Sequence, residues 1–109
     1  MRNYIEINKE LLPYQFNILL ADEWYGLYVA YNKTADMFTV SLYKDDELIA
    51  SAPLILGVPL FQDVYQPGRF PAITLEPYDA NGTERKVTYE NLGKSVFLTV
   101  DDEGDEYDG

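Results

Sequence analysis

The chain has 109 residues and a formal net charge of −11, from 19 acidic and 8 basic residues, with ten Tyr, five Phe and one Trp but no Cys or His. A chain of this length forms one domain, and its acidic balance argues against binding to nucleic acid, which requires clustered Lys and Arg. Without Cys or His the chain lacks disulfides, thiolate or imidazole metal sites and the nucleophile–histidine pairs of many hydrolases.

The first predicted elements are a short edge strand and a hairpin. Residues 4–7 alternate between apolar and polar side chains, and Pro13 closes the segment that follows, which is typical of an edge strand and a loop. Residues 14–20 and 24–31 then alternate on either side of a short polar turn. This pattern predicts a β-hairpin.

Both arms of this hairpin present two distinct faces, because their apolar residues recur every second position. The residues that share one face of each strand are Phe16, Ile18, Leu20, Leu27, Val29 and Tyr31. Trp24 and Tyr28 point to the other side, together with the small residues Gly26 and Ala30. Both faces are therefore at least partly apolar.

A second hairpin is predicted directly after the first. Residues 32–36 are rich in side chains that bond their own backbone, so they should reverse the chain into a strand over 37–43. The acidic stretch 44–47 is the next reversal, and it leads into a strand over 48–54. The apolar side chains of the first of these strands are Phe38, Val40 and Leu42, which alternate with polar ones.

Two prolines and a glycine mark the end of regular pairing. Pro53 and Pro59 lack the N–H that a strand ladder needs, and Gly57 permits an unusual backbone angle. In the segment that follows, residues 67–68 read Pro-Gly, which predicts a turn, and 63–65 are compatible with one helical turn.

The last third of the chain returns to extended patterns. Residues 70–78 predict a strand, and 79–82 give a strong hairpin signal into a further strand over 83–89. A turn at 91–93 precedes a final strand, in which Val96, Leu98 and Val100 alternate with other residues.

About seven or eight short strands with no convincing helical periodicity predict an all-β fold, either a small antiparallel sandwich or a partly open barrel. Six of the 19 acidic residues lie in the last nine positions, which leaves 13 acidic and 8 basic residues, a net charge of −5, in residues 1–100. We therefore expect a single β domain over 1–100 and an acidic tail over 101–109 that is disordered in isolation, because its like charges repel.

The acidic clusters offer little catalytic chemistry. Asp45, Asp46 and Glu47, with Asp22 and Glu23, are predicted to lie at exposed hairpin tips, where a carboxylate keeps an ordinary pKa and makes a poor general acid. The Asp-x-Asp-x-Asp-Gly spacing that is typical of a calcium-binding loop does not occur in the sequence. The sequence therefore predicts no catalytic, metal-binding or cofactor-binding residues and no cofactor, and it indicates a protein that is not an enzyme.

The aromatic residues are more numerous than a small core accommodates, so some should lie at the surface, where Tyr and Trp favour protein interfaces. A carbohydrate-binding module is the alternative, with sugar rings stacked on Trp24 or Tyr25. Such modules are usually secreted, whereas the N-terminal residues lack the apolar core of a signal peptide and no stretch is long and apolar enough to span a membrane. We therefore expect synthesis in the cytoplasm and no membrane or nucleic-acid partner.

Several segments together resemble a family of tailed-phage structural proteins. They comprise the aromatic strand 15–20, a strand that ends in Tyr31-Asn32, the strand 38–43, the segment 52–60 and a Leu-Gly turn before the last strand. In this order the chain resembles the cyanophage baseplate plug-like proteins, which also occur in prophages of Gram-positive bacteria. The most distinctive piece is the Pro-Leu-x-x-Gly-x-x-Leu pattern that begins at Pro53.

The resemblance implies an acidic virion structural protein of the phage tail. Such a protein is non-enzymatic, lies in the baseplate or tail tip, acts like a plug through protein–protein contacts with other tail proteins, and is compatible with a homo-oligomer. The residues that we predict to form its contact surface are Trp24, Tyr25, Tyr28, Tyr43, Pro53, Leu54, Gly57, Pro59 and Leu60.

Overall fold

The computed structural model describes residues 3–62, 64, 70–71 and 73–101. Within them lie seven strands and one short 3-10 helix before the second strand. The strands are β1 (Asn3–Ile5), β2 (Tyr14–Leu20), β3 (Glu23–Asn32), β4 (Met37–Lys44), β5 (Glu47–Pro53), β6 (Thr74–Tyr78) and β7 (Phe97–Asp101), and the 3-10 helix is Lys9–Leu11.

These strands form two antiparallel sheets that pack as a sandwich and do not close into a barrel. One sheet has four strands in the order β2-β3-β4-β5, and the other has three in the order β1-β7-β6. The predicted all-β sandwich is confirmed. Strand β1 is the short edge strand that was predicted from the alternation of apolar and polar residues near the start of the chain. No helix in the described part of the chain has the length and apolarity to cross a membrane.

Two tight turns set the register of the four-stranded sheet. Ala21 and Asp22 between β2 and β3 both have positive φ, as do Asp45 and Asp46 between β4 and β5. Positive φ at both central residues is the signature of a type I′ turn, whose twist matches that of the flanking strands. In the first hairpin Leu20 therefore lies opposite Glu23, and the pairing of every residue further along β2 and β3 follows. In the second hairpin Lys44 lies opposite Glu47, and the register shifts once, between Leu42 and Tyr43.

The core lies between the two sheets and follows the predicted alternation. On the inward face, Leu27 and Val29 of β3 and Phe38, Val40 and Leu42 of β4 are completely buried, whereas Tyr31 is half-buried. The inward apolar residues of β2 are half-buried or buried. The largest fully buried side chains are Phe38, Leu27, Leu42, Leu98, Val29, Val40, Val96 and Pro77.

The segment after β5 crosses from one sheet to the other. The backbone N–H of Leu54 donates to the carbonyl of Phe38 at 2.9 Å, which extends the pairing with β4 by one residue. Gly57 then donates to Pro77 at 2.9 Å and Leu60 to Leu75 at 2.8 Å, so this segment runs along the free side of β6. Strand β5 itself ends at Pro53, where the sequence predicts that regular pairing ends.

The predicted strand over 83–89 is wrong. The turn exists, since Gly82 N–H donates to the carbonyl of Asp79 at 3.1 Å, but no strand follows it and β6 pairs directly with β7. The carboxylate of Asp79 accepts hydrogen bonds from the backbone N–H groups of Asn81, Thr83 and Glu84, at 2.8 to 2.9 Å. Because the side chain takes the donors that a ladder would use, this segment folds as a compact loop.

Two other predictions differ from the structure or fall outside it. The strand predicted over 70–78 begins only at Thr74. The helical turn at 63–65, the turn at 67–68 and the acidic tail beyond residue 101 lie outside the described residues.

Candidate protein-docking surface

The outward side of the four-stranded sheet, which has one strand more than the other sheet, presents a regular surface. Because successive side chains of a strand point to opposite faces, the register of β2 to β5 fixes which ones point away from the core. We call these residues the outer face: Gln15, Asn17, Leu19, Trp24, Gly26, Tyr28, Ala30, Thr39, Ser41, Tyr43, Leu48, Ser51 and Pro53. All four strands contribute, so the hairpins bring together residues that are up to 38 positions apart (53 − 15).

No residue of the outer face is ionisable as an acid or a base at neutral pH, although 25% of the chain is Asp, Glu, Lys or Arg. The solvated side of an antiparallel sheet is ordinarily polar, and charged side chains are common there. Depletion of charge combined with Tyr and Trp is instead the composition found at the core of protein interfaces. The outer face therefore has the chemistry of a surface that another protein covers.

One end of the outer face carries its exposed apolar side chains. Trp24, the only tryptophan, is 65% exposed and lies directly opposite Leu19, which is 50% exposed. Two strands away, Leu48 is 52% exposed and pairs with the half-buried Tyr43. Large side chains left in water at this density favour contact with a partner.

A shallow notch lies at this end of the outer face. Gly26, Gln15, Asn17, Trp24 and Tyr43 line it, and Asp45 and Asp46 of the neighbouring turn border it. A Cβ atom at position 26 would lie 3.0 Å from Gln15 Nε2 and 3.4 Å from Tyr43 Cβ. Glycine therefore leaves room for the neighbouring side chains to approach, and a larger residue would push them apart.

Acidic side chains border the apolar end of the outer face. The two type I′ turns and the residues that flank them carry Asp22, Glu23, Asp45, Asp46 and Glu47, all exposed. Lys44 is the basic residue among them; it pairs with Glu23 at 2.5 Å, and this hydrogen bond raises the pKa of Lys44. These carboxylates lie on exposed tips, as the sequence predicts, and within the described residues no three acidic side chains converge to hold a metal ion.

At the opposite end of the sheet a polar and aromatic cluster connects the sheet to the loop between β6 and β7. Asp36 accepts hydrogen bonds from the Tyr31 hydroxyl at 2.7 Å and from the Tyr89 backbone N–H at 3.0 Å. These bonds lower the pKa of Asp36, and the bond to Asp36, with some burial, raises the pKa of Tyr31 to about 12. Lys9 adds a bond from Nζ to the Tyr89 carbonyl at 2.6 Å. The partners are 53 and 80 residues apart, so no local pattern could have indicated this cluster.

The structure divides the residues predicted to form the contact surface. Trp24, Tyr28, Tyr43 and Pro53 lie together on the outer face. Gly57 and Pro59 lie on the crossing segment, away from it. Tyr25, Leu54 and Leu60 are between 2% and 9% exposed and belong to the core.

Sequence reasoning missed Leu19 and Leu48, which the register places on the outer face beside the aromatic residues. The signal for them was present, because a two-residue turn at 21–22 places Leu19 opposite Trp24.

Comparison with known proteins adds the family. Residues 2–103 match the family model described as "Cyanophage baseplate Pam3 plug gp18". No curated protein matches the chain.

Proposed function

Because the chain belongs to the family of the cyanophage baseplate plug, which supports a structural role in a phage baseplate, we propose that it docks onto other baseplate proteins through the outer face. In this proposal the protein is a non-enzymatic, plug-like component of a phage or prophage tail, and its place of action is the virion. Its contribution is a shaped surface that holds neighbouring subunits in position.

The observation that carries the proposal is the absence of charge from the outer face of a strongly charged chain. Covering a charged side chain without a partner costs free energy, so a surface that is to be covered loses such residues first. Trp24 then supplies a large apolar side chain that is exposed in the isolated chain and available to a partner.

The stiffness of the sheet supports the same role. Tyr28 and Tyr43 are half-buried among their neighbours, and Ser41 and Ser51 are joined across β4 and β5 by a hydroxyl hydrogen bond of 2.7 Å. Side chains that are already ordered lose little conformational entropy when a partner covers them. The outer face is therefore prepared for contact without rearrangement.

The acidic side chains on the hairpin tips contribute orientation. Like charges across an interface cost several kcal/mol in general, whereas complementary ones speed association and fix the register. We therefore propose a partner whose surface is apolar opposite Trp24 and basic, or at least uncharged, opposite Asp22 and Asp45.

Co-expression with baseplate proteins of the same phage, one at a time, tests the proposal. We expect at least one of them to co-purify and co-elute with the chain, and Trp24→Glu to abolish the complex because it places a charge at the apolar end of the outer face. The matched control is Leu11→Glu, because Leu11 is 57% exposed but lies on the 3-10 helix, outside the outer face.

A complex that survives Trp24→Glu as well as it survives Leu11→Glu would contradict the proposed surface. A chain that binds none of the baseplate proteins would contradict the proposed role. Circular dichroism of each variant shows whether the fold is retained, so a loss of binding can be assigned to the surface.

A further inference from the structure

In the part of the chain that the structure describes, each sheet of the sandwich has two edge strands, and three of these four edges are protected. Strand β1 has only three residues, and the segment that contains Gly57 and Leu60 covers β6. Strand β5 ends at Pro53 and, near its start, has a register shift in its pairing with β4. Short strands, covering segments, prolines and bulges are the usual means by which proteins prevent edge-to-edge pairing.

Strand β2 has none of these features. Its seven residues, Tyr14–Leu20, contain no proline, no charged residue and no register shift, and among the described residues β3 is its only strand partner. A long, regular, uncharged edge is a template for pairing with another strand.

The hairpin geometry shows which backbone groups are available. The type I′ turn makes Leu20 and Glu23 a hydrogen-bonded pair. Leu20 and every second residue before it therefore direct their backbone N–H and C=O groups toward β3. The N–H and C=O groups of Gln15, Asn17 and Leu19 therefore point away from the sheet. No backbone hydrogen bond from the described residues reaches them.

The inward side chains of β2 are also incompletely covered. Phe16 and Ile18 are half-buried, whereas Leu27, Val40 and Leu42 on the neighbouring strands are completely buried. An additional strand beside β2 would remove Phe16 and Ile18 from water, which is favourable at about 25 cal/mol per Å² of apolar surface.

We propose that β2 pairs antiparallel with β2 of a second copy of this chain, around a two-fold axis through Asn17. This inference goes beyond the proposed docking role and does not depend on it, because it uses the edge of the sheet and leaves Trp24 uncovered. The resulting dimer has one continuous eight-stranded sheet, since each copy contributes four strands.

The self-complementarity of β2 argues for a second copy as the occupant. Asn17 is the middle of the seven residues, so a two-fold axis there pairs residues whose numbers sum to 34. Phe16 then faces Ile18 of the other copy on the inward side, and Asn17 faces itself on the outward side with an amide that both donates and accepts.

This register pairs the free backbone groups of the two strands and keeps their acidic side chains apart. Asn17 and its copy both direct their free N–H and C=O groups outward, so they form a hydrogen-bonded pair, and Gln15 with Leu19 of the other copy forms the next one. The nearest carboxylate on the turn, Asp22, comes opposite Leu12 rather than another acid (34 − 22 = 12). A second copy of a chain with a net charge of −11 avoids opposed acids in this arrangement.

Single-cysteine cross-linking tests the register, because the natural chain has no cysteine. In the dimer, the Cα atoms of two Asn17→Cys residues lie about 5.5 Å apart, within the range that a disulfide spans. The matched control Gln15→Cys places its two Cα atoms at least about 14 Å apart. We expect oxidation to convert Asn17→Cys to a covalent dimer and to leave Gln15→Cys monomeric.

A charge-exchange experiment tests the two-fold axis independently of disulfide chemistry. Asn17→Lys and Asn17→Glu each oppose like charges at the axis, so each variant alone should sediment as a monomer under conditions where the natural chain is a dimer. An equimolar mixture should recover the dimer, and Asn17→Thr should retain it. Circular dichroism confirms that every variant keeps the sheet.

A natural chain that sediments as a monomer up to about 1 mM would overturn the inference. Equal cross-linking of the two cysteine variants would overturn it as well, as would a mixture of the charge variants that stays monomeric. Discovery that a strand from another baseplate protein occupies β2 would also count against self-pairing. Binding of baseplate proteins that depends on Trp24 would persist in each of these cases, so the docking proposal is tested separately.

Discussion

At the scale of single residues, Asp79 has the clearest structural task. Its side chain is buried, and its two oxygens accept hydrogen bonds from three backbone N–H groups and from the Thr83 hydroxyl. These bonds, led by that from Glu84, lower the pKa of Asp79, because they favour the charged form. The carboxylate is what converts an apparent hairpin signal into a loop.

Asp79→Asn should lower the urea midpoint of unfolding. The NH₂ group of the amide takes the place of one carboxylate oxygen, so a donor then faces the backbone N–H donors of the loop. The matched control is Asp22→Asn, which removes a charge from an exposed turn residue that accepts no hydrogen bond from the described part of the chain. Asn tolerates the positive φ of that turn, so the control should unfold at the natural midpoint or slightly above it. Equal midpoints for the two variants would show that Asp79 does not hold the loop.

Acid should destabilise the fold through Asp36 and Asp79. Both have a pKa below the ordinary value of 3.8 in the folded protein, so their contribution to the free energy of unfolding is complete above that value. It is lost as the pH falls below 3.8 and through the lowered pKa, since protonation removes the acceptors. Urea midpoints measured from about pH 6 down to pH 2 should fall less steeply in Asp36→Asn than in the natural chain. Parallel profiles would contradict this role of Asp36.

At the scale of elements, the two type I′ turns can be improved. Asp46 has a φ of 66° in a region where glycine is free of strain, and its side chain is exposed. We expect Asp46→Gly to stabilise the protein by about 0.5–1 kcal/mol, because relief of the left-handed strain exceeds the entropy cost of glycine. Chemical denaturation measures this difference. Destabilisation by the same substitution would mean that the Asp46 side chain makes a stabilising contact in solution.

The sequence predicts the four-stranded sheet well and the rest less well, for a physical reason. In β2 to β5 every connection is short, so alternation along residues such as Phe38, Val40 and Leu42 determines both strand and face. The three-stranded sheet pairs β1 with β7, close to opposite ends of the chain, and no local pattern encodes such a contact. The loop at Asp79 shows the same limit, because side-chain bonds there override a genuine turn signal.

The residues of the candidate surface, too, could be predicted only in part from the sequence. Alternation correctly places Trp24, Tyr28 and Tyr43 on the outward side, but composition alone could not separate them from Tyr25, which has the same residue type and the opposite face. Burial of Leu54 and Leu60 depends on where the crossing segment lands on β6, which only the folded chain reveals.

At the scale of the whole molecule, stability depends on a core in which Phe38 is the largest fully buried side chain. Its ring lies 4.8 Å from that of Tyr31 and 6.3 Å from that of Tyr89, centroid to centroid, so it connects the sheet to the loop that follows β6. Phe38→Ala should cost about 3–5 kcal/mol, a large part of the roughly 5–15 kcal/mol that holds a domain folded. Urea denaturation measures the loss, and a cost below about 1 kcal/mol would contradict this picture of the core.

The shape of the molecule then accounts for its role. In a two-sheet sandwich the outward side of each sheet faces away from the core. Here one of these surfaces, the outer face, carries aromatic residues and no charged residue. Membership of the baseplate plug family supports a structural role in a phage baseplate for a chain with such a surface.

A cryo-electron microscopy reconstruction of the tail end of the phage particle tests the central claim most directly. We expect density for this chain in the baseplate, with Trp24 and Tyr43 covered by a subunit of another protein. A chain that lies in the baseplate with both side chains facing solvent, or that is absent from the particle, would contradict the account.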